Sequence, residues 1–273
     1  MDWRNTLTAF HTMKQAPFIV VCCLFFAIDG HTQDLSAFHS GQLVHRGDTL
    51  PYRILYPEGY DPKGTYPVLF FLHGAGERGN DNAKQLTHGA SLFLSDSIRT
   101  AFPAIVVFPQ CPLDSYWSNV NIERQPDGKR EFYFRTSGRP TEGMALFLRL
   151  VKHVLKSEAV DKERVYIGGL SMGAMGTFEA LRRKRKLFAA GFAICGGDNT
   201  ANVKKYAHVP LWIFHGERDD VVPSTHSHVI VSELRRLGAK PQATFYPEAN
   251  HNSWDAAFAE PGLLSWLFSH TKK

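Results

Sequence analysis

The chain has 273 residues, of which 44% are hydrophobic and 21% charged, the ordinary balance of a folded globular protein. Its length suits a single α/β domain. The formal charge of +5 owes much to one run, Arg182 to Lys186; no aromatic residue interleaves with these cations as stacking on single-stranded nucleic acid requires, so the run reads as a solvated helix end and nucleic acid is excluded as a partner.

At the N-terminus, Met13-Lys14 precedes an apolar stretch from Phe18 to Ile28. A short positive start followed by a short apolar run is the pattern of a secretory signal peptide. The run is too short to span a bilayer comfortably as a helix. The expectation is a leader over residues 1–32, with translation beginning at Met1 or Met13, and a mature chain over 33–273. The mature protein is then secreted or periplasmic, with no stable membrane insertion after cleavage. Cys111 and Cys195 remain in that mature chain. They end strands that are not neighbours, which predicts two separate thiols. Neither lies in a metal-ligand spacing.

Apolar runs then recur, each closed by a turn signal. Gln42 to Arg46 and Pro51 to Tyr56 predict an antiparallel hairpin at a sheet edge. Tyr66 to Leu72 predicts a buried strand ending at His73-Gly74, and Ala104 to Phe108 predicts the next. Asn119 to Arg139 is polar and turn-rich, and reads as an insertion on the loop side of the sheet, where ligands bind in open α/β folds. Thr141 to Lys156 carries Met144, Phe147, Leu148, Val151, Val154 and Leu155 at helical spacing. Further strands are predicted at Arg164 to Gly168, Ala189 to Cys195, Leu211 to Phe214 and Ala243 to Tyr246, with helices at Ala174 to Lys186 and Ser224 to Leu237. Near-continuous apolar strands imply burial on both faces and a mostly parallel sheet. Their alternation with helices predicts an α/β fold, a doubly wound sheet with helices on both faces.

Gly169-Leu170-Ser171-Met172-Gly173 is a G-x-S-x-G sequence placed directly after a strand and before a helix. That context presents a serine hydroxyl on a tight turn above a sheet, and flanking glycines avoid collision with the neighbouring strand and helix. Ser171 is therefore the candidate nucleophile. It needs a general base, and the base needs an orienting carboxylate. The chain supplies both in the order nucleophile, acid, histidine. His215-Gly216-Glu217-Arg218-Asp219-Asp220-Val221-Val222-Pro223 follows a strand, and Asn250-His251-Asn252-Ser253-Trp254 follows the last one. His251 is the candidate base; His215 precedes the acid and reads as a brace for its turn, His226 and His228 as surface histidines on a helix, and His270 as close to a frayed end. Asp219 is the preferred acid, with Asp220 and Glu217 as rivals. An oxyanion hole is expected from the N–H groups of Met172, at the helix N-terminus, and Ala75, in the glycine-rich loop after His73-Gly74. Glu77, Arg78, Asp81 and Asn82 form either a charged rim over the site or a loop held by its own ion pairs. Trp117 and Trp254 are candidate walls of a substrate pocket, or else loop-packing aromatics.

These stretches, together with Leu72 to Asn82 and Pro109-Gln110-Cys111-Pro112, resemble the carboxylesterase/phospholipase branch of the α/β-hydrolase superfamily. Within it they are most similar to secreted bacterial esterases related to polyhydroxybutyrate depolymerases and feruloyl esterases. The resemblance spans residues 50–268 and departs at Asn119 to Arg139, which fixes the catalytic machinery better than the substrate. It implies the α/β-hydrolase fold, hydrolysis of a small-molecule or polymer-linked ester, and no cofactor or metal. A serine peptidase of the same fold is the rival enzyme. A non-catalytic binding protein of this fold is the rival of another class.

Overall fold

The computed structural model describes residues 34–272, so the leader expected over 1–32 lies outside the described residues. The edge hairpin comes first. Its strands β1 (His39–His45) and β2 (Asp48–Leu55) pair antiparallel across a turn in which Arg46 and Gly47 both take positive φ. Next are β3 (Tyr66–Leu72), the short helices α1 (Ala90–Leu94) and α2 (Asp96–Ala101), and β4 (Ile105–Pro109). The strands β5 (Val120–Arg124) and β6 (Arg130–Phe134) pair only with each other. Then the alternation is regular: α3 (Glu142–Ser157), β7 (Val160–Leu170), α4 (Met172–Arg183), β8 (Ala190–Ile194), the single turn α5 (Thr200–Val203), β9 (Leu211–Gly216), α6 (Thr225–Arg236) and β10 (Gln242–Tyr246). Two short helices, α7 (Trp254–Phe258) and α8 (Leu263–Phe268), close the fold.

Eight strands form one sheet in the order β1-β2-β4-β3-β7-β8-β9-β10. The pairs β1/β2 and β2/β4 are antiparallel; every other pair is parallel. Side chains on β3 show how the layers arise. Val68, Phe70 and Leu72 join one core with Phe147 and Val151 of α3, Phe178 of α4 and Ile230 of α6. Leu69 and Phe71 alternate to the other face and join Phe93 of α1, Ala257 of α7 and Leu263 of α8. A strand apolar at every position must be covered twice. This is the doubly wound α/β-hydrolase architecture expected from the sequence. Because β3, β7, β9 and β10 run parallel, the loops after Leu72, Leu170, Gly216 and Tyr246 all emerge at one end of the sheet.

Several local expectations are corrected. Residues 119–139, read from the sequence as a polar, turn-rich insertion with no strands assigned, contain a hairpin: β5 and β6 turn at Gln125 to Lys129, where Gly128 has φ +85°. Its Phe132 and Phe134 rings meet the His226 ring edge-on at 5.6 and 5.5 Å, so His226 is half-buried and burial lowers its pKa. The C-terminal end is docked: Tyr166 donates to the His270 carbonyl at 2.6 Å, and the Lys272 N–H donates to Glu163 at 2.8 Å. In the basic run, Arg182 is buried and ion-paired with Glu179 one turn earlier, and Arg183 pairs with the same carboxylate. Only Lys184, Arg185 and Lys186 are exposed to solvent. Cys111 and Cys195, by contrast, are the two separate thiols expected, both buried.

Candidate active site

β7 carries the chain to Leu170, and Ser171 then adopts φ 51°, ψ −117° before α4 begins. A non-glycine residue in that region is strained and persists only where its surroundings enforce it. Here the Ser171 N–H donates to Ile194 of β8 at 2.8 Å, and the Ser171 carbonyl accepts from Met175 at 3.1 Å. The glycines on either side permit the close approach. A Cβ on Gly173 would lie 1.9 Å from the Leu72 carbonyl oxygen, and one on Gly169 would lie 2.4 Å from the Gly173 oxygen. Either would force β3, β7 and α4 apart.

The structure brings Ser171, His251 and Asp219 together in one chain of contacts. His251 Nε2 lies 3.0 Å from Ser171 Oγ, and His251 Nδ1 lies 2.8 Å from Asp219 Oδ2. The carboxylate can only accept, so Nδ1 carries the proton and Nε2 is left to accept from the serine hydroxyl. Asp219 Oδ1 accepts from the N–H groups of Val221 and Val222 at 2.9 and 2.8 Å. His215 Nε2 also approaches Asp219 Oδ2, at 3.2 Å. Burial by itself would raise the Asp219 pKa; the bonds from His215, His251 and Val222 outweigh it and hold the carboxyl well below the usual range.

The rival acids are placed elsewhere. Asp220 is exposed. Glu217 turns to Ser224 Oγ at 2.8 Å and to His228 at 3.0 Å. His228 itself stacks on Phe245, its ring 3.8 Å away.

The loop after β3 packs against the serine: a Cβ on Gly74 would lie 3.8 Å from Ser171 Cβ. Ala75 follows it directly, and Met172 opens α4 with an N–H that has no partner within the helix. Both backbone donors therefore border the serine turn. The loop is held mainly by hydrogen bonds. Arg78 donates to the carbonyls of Ala75, Leu113 and Ser115 at 3.0, 3.0 and 3.2 Å. Asp81 accepts from the Ala83 and Lys84 N–H groups, the Lys84 contact doing most to hold its carboxyl well below the usual range. Glu77 faces His88 at 3.8 Å.

Trp117 is fully buried and so lines no open pocket. It packs edge-on against His73 at 5.4 Å and Phe147 at 6.0 Å, underneath the site. Trp254 is half-buried, edge-on to His251 at 5.4 Å and tilted against His88 at 5.0 Å.

Three contributors escaped the sequence reading. Gln110 is fully buried; its Oε1 accepts from Asn82 at 2.7 Å and its Nε2 donates to Asp81 at 2.9 Å, fixing the loop. Asn250 Oδ1 accepts from both the Asp220 and His251 N–H groups, at 3.1 and 2.6 Å, tying the acid loop to the base loop. His215 reaches the acid as well as bracing its turn. The visible signals were a polar residue closing an apolar strand and an asparagine directly before the histidine. Among the described residues the one cluster of three metal-ligand types is Cys195, Asp219 and His251, and two of its ligand atoms already bond each other.

Residues 62–260 match the profile of the phospholipase/carboxylesterase family. A thermostable esterase of known structure is 32% identical, with a TM-score of 0.77 over 87% of this chain and 64% of that one. Lysophospholipase-like protein 1 of Mus musculus is 25% identical over 223 residues, which covers 76% of this chain and 89% of the relative. A bifunctional acetylxylan esterase/xylanase of Neocallimastix patriciarum is 36% identical over 75 residues, 27% of this chain and only 11% of that enzyme.

Proposed function

The chain belongs to the phospholipase/carboxylesterase family, and from that premise we propose that it is a serine hydrolase cleaving carboxylic esters through an acyl-enzyme on Ser171. The observation that carries this reading is the unbroken contact chain from Ser171 Oγ through His251 to Asp219, at 3.0 and 2.8 Å, on a strained strand-to-helix turn. His251 Nε2 takes the hydroxyl proton as Ser171 Oγ attacks the ester carbonyl carbon. Negative charge gathers on the carbonyl oxygen, where the Met172 and Ala75 N–H groups and the α4 N-terminus stabilise it; one such donor contributes about 3 kcal/mol in comparable sites. The imidazolium, oriented by Asp219, returns the proton to the leaving alcohol. Water then attacks the acyl-enzyme by the same route and releases the acid.

The acyl and alcohol groups follow from the relatives by analogy alone. The esterase relatives support small esters and acyl groups carried on plant polysaccharide as substrates. Export belongs to the same reading and is supported by the leader-like stretch from Met13 to Ile28.

Ser171→Ala tests the assignment. p-Nitrophenyl acetate hydrolysis should fall to background, and labelling by a fluorophosphonate should vanish, while circular dichroism stays that of the parent. Retained turnover in a folded variant rejects Ser171 as the nucleophile.

A further inference from the structure

At the end of the sheet opposite Ser171, the C-terminal halves of α3 and α4 and the start of β7 border an open surface groove of ≈ 970 Å³. A second concavity of ≈ 910 Å³ adjoins it, sharing Arg185, Lys186 and Lys272. Volumes of ~300–1,000 Å³ are those of small-molecule sites. The groove has two chemically distinct parts. Its floor is aliphatic: Leu148, Val151 and Leu155 of α3, with Leu187 after α4. Its rim is cationic: Lys152 and Lys156 of α3, Lys162 at the start of β7, and Lys184, Arg185 and Lys186 after α4.

This rim is not balanced from within. Arg183 and Lys272 also line the groove, and each has an acid partner, Glu179 and Glu163. Among the described residues the six rim cations make no ion pair, and no Asp or Glu lines either concavity. Lys205, on the wall of the second concavity, has its pKa lowered first by desolvation and then by Arg182 and Arg185. Uncompensated cations gathered from separate segments repel one another in the free protein, and an anion placed among them relieves that repulsion.

We propose that this groove binds a single-chain anionic amphiphile, with its alkyl chain on the aliphatic floor and its carboxylate or phosphate head on the cationic rim. Charge alone does not describe the site, since a polyanion leaves the leucine floor uncovered. Apolar contact alone does not either, since a neutral lipid leaves the cations unpaired. Burial of the alkyl chain supplies affinity in proportion to apolar area, and the rim supplies sign and orientation.

Titration calorimetry on the full chain carrying Ser171→Ala, below the critical micelle concentration, tests this. Dodecanoate, dodecyl phosphate, dodecyltrimethylammonium and polygalacturonate are compared. One or both anionic amphiphiles should saturate a single site, and which of them does identifies the head group. The cationic amphiphile should not bind. Lys156→Glu with Lys186→Glu should weaken binding about tenfold or more, as loss of contacts to a charged head predicts. Leu155→Asn should weaken it as well. On the Ser171-bearing chain, the same charge reversals should leave p-nitrophenyl acetate turnover unchanged. The site is rejected if neither anionic amphiphile binds or if the charge reversals leave affinity unchanged. Polygalacturonate binding as tightly as dodecanoate also rejects it in favour of a charge-only surface.

Discussion

The same dipeptide follows β3 as His73-Gly74 and closes β9 as His215-Gly216, and both histidines are buried, yet they hold different things. His73 Nδ1–H donates to the Gly74 carbonyl at 2.6 Å and its Nε2 accepts the Cys111 N–H at 2.9 Å, so its partners are all backbone. His215 contacts Ser227 Oγ at 2.6 Å with one ring nitrogen, and the Val222 carbonyl at 2.8 Å and Asp219 Oδ2 at 3.2 Å with the other. The first histidine fixes the shape of the oxyanion loop by joining it to the end of β4. The second is coupled electrostatically to the acid. The glycines differ in the same way. A Cβ on Gly216 would meet the Ala249 and Asn250 carbonyl oxygens at 2.4 Å, which are backbone and cannot yield. One on Gly74 would meet the side-chain ends of Leu170 and Glu77 at 2.9 Å, which can move. One dipeptide at equivalent strand ends thus serves geometry in one place and charge in the other.

The contrast breaks most sharply at the carboxylate that His215 contacts and that has no counterpart at His73. Asp219→Asn should lower kcat by about 10⁴-fold, since an amide no longer selects the Nδ1–H tautomer or stabilises an imidazolium. Asp220→Asn should stay within a few-fold of the parent, because its side chain is exposed. Steady-state kinetics on the pair decides it; the reverse ranking would make Asp220 the acid.

The next effect is one of stability and belongs to His73. Burial lowers its pKa from 6.5 to about 4, so the fold requires the neutral ring. As pH falls, the unfolded chain takes up this proton first. Stability is therefore complete above about pH 6.5 and is lost as pH falls toward 4, by up to about 3 kcal/mol. Urea unfolding across that window measures the slope. His73→Gln, which keeps a donor and an acceptor but does not titrate there, should flatten it; an unchanged slope would place the titration elsewhere.

The smallest effect should come from His215→Gln. Weakening one contact to a charged acceptor should lower kcat by about tenfold with KM nearly unchanged. A raised KM at unchanged kcat would show that His215 acts on substrate binding and not through Asp219.

Much of this was legible in the sequence, for identifiable reasons. β3, β8, the second half of β7 from Val165 on and β9 up to Phe214 lack charged residues at successive positions because both of their faces are covered. The serine turn is readable because Gly169 and Gly173 sit where carbonyl oxygens leave no room for a side chain. The β5–β6 hairpin was hidden by the charged residues around its turn, Glu123, Arg124, Arg130 and Glu131, although Asp127-Gly128 was a usable turn signal. For Trp117 the choice between pocket wall and packing aromatic stayed open because its burial depends on a residue distant in sequence: a Cβ on Gly176 would lie 2.4 Å from Trp117 Cβ, so that glycine makes the space it occupies. Arg182 and Arg183 stand three and four residues after Glu179, a spacing that pairs on a helix and was overlooked among five consecutive cations. What escaped was long-range complementarity, which no local pattern encodes.

The backbone at Ser171 has one more consequence. Its φ of 51° is a conformation that costs a side-chain-bearing residue on the order of 1–3 kcal/mol and costs glycine little. The most comfortable occupant of this turn is therefore a residue with no hydroxyl to offer. A thermal-shift screen that ranks variants without a matching activity assay would promote the glycine and discard the chemistry. Any redesign for robustness has to hold this one position fixed and look for its gains elsewhere.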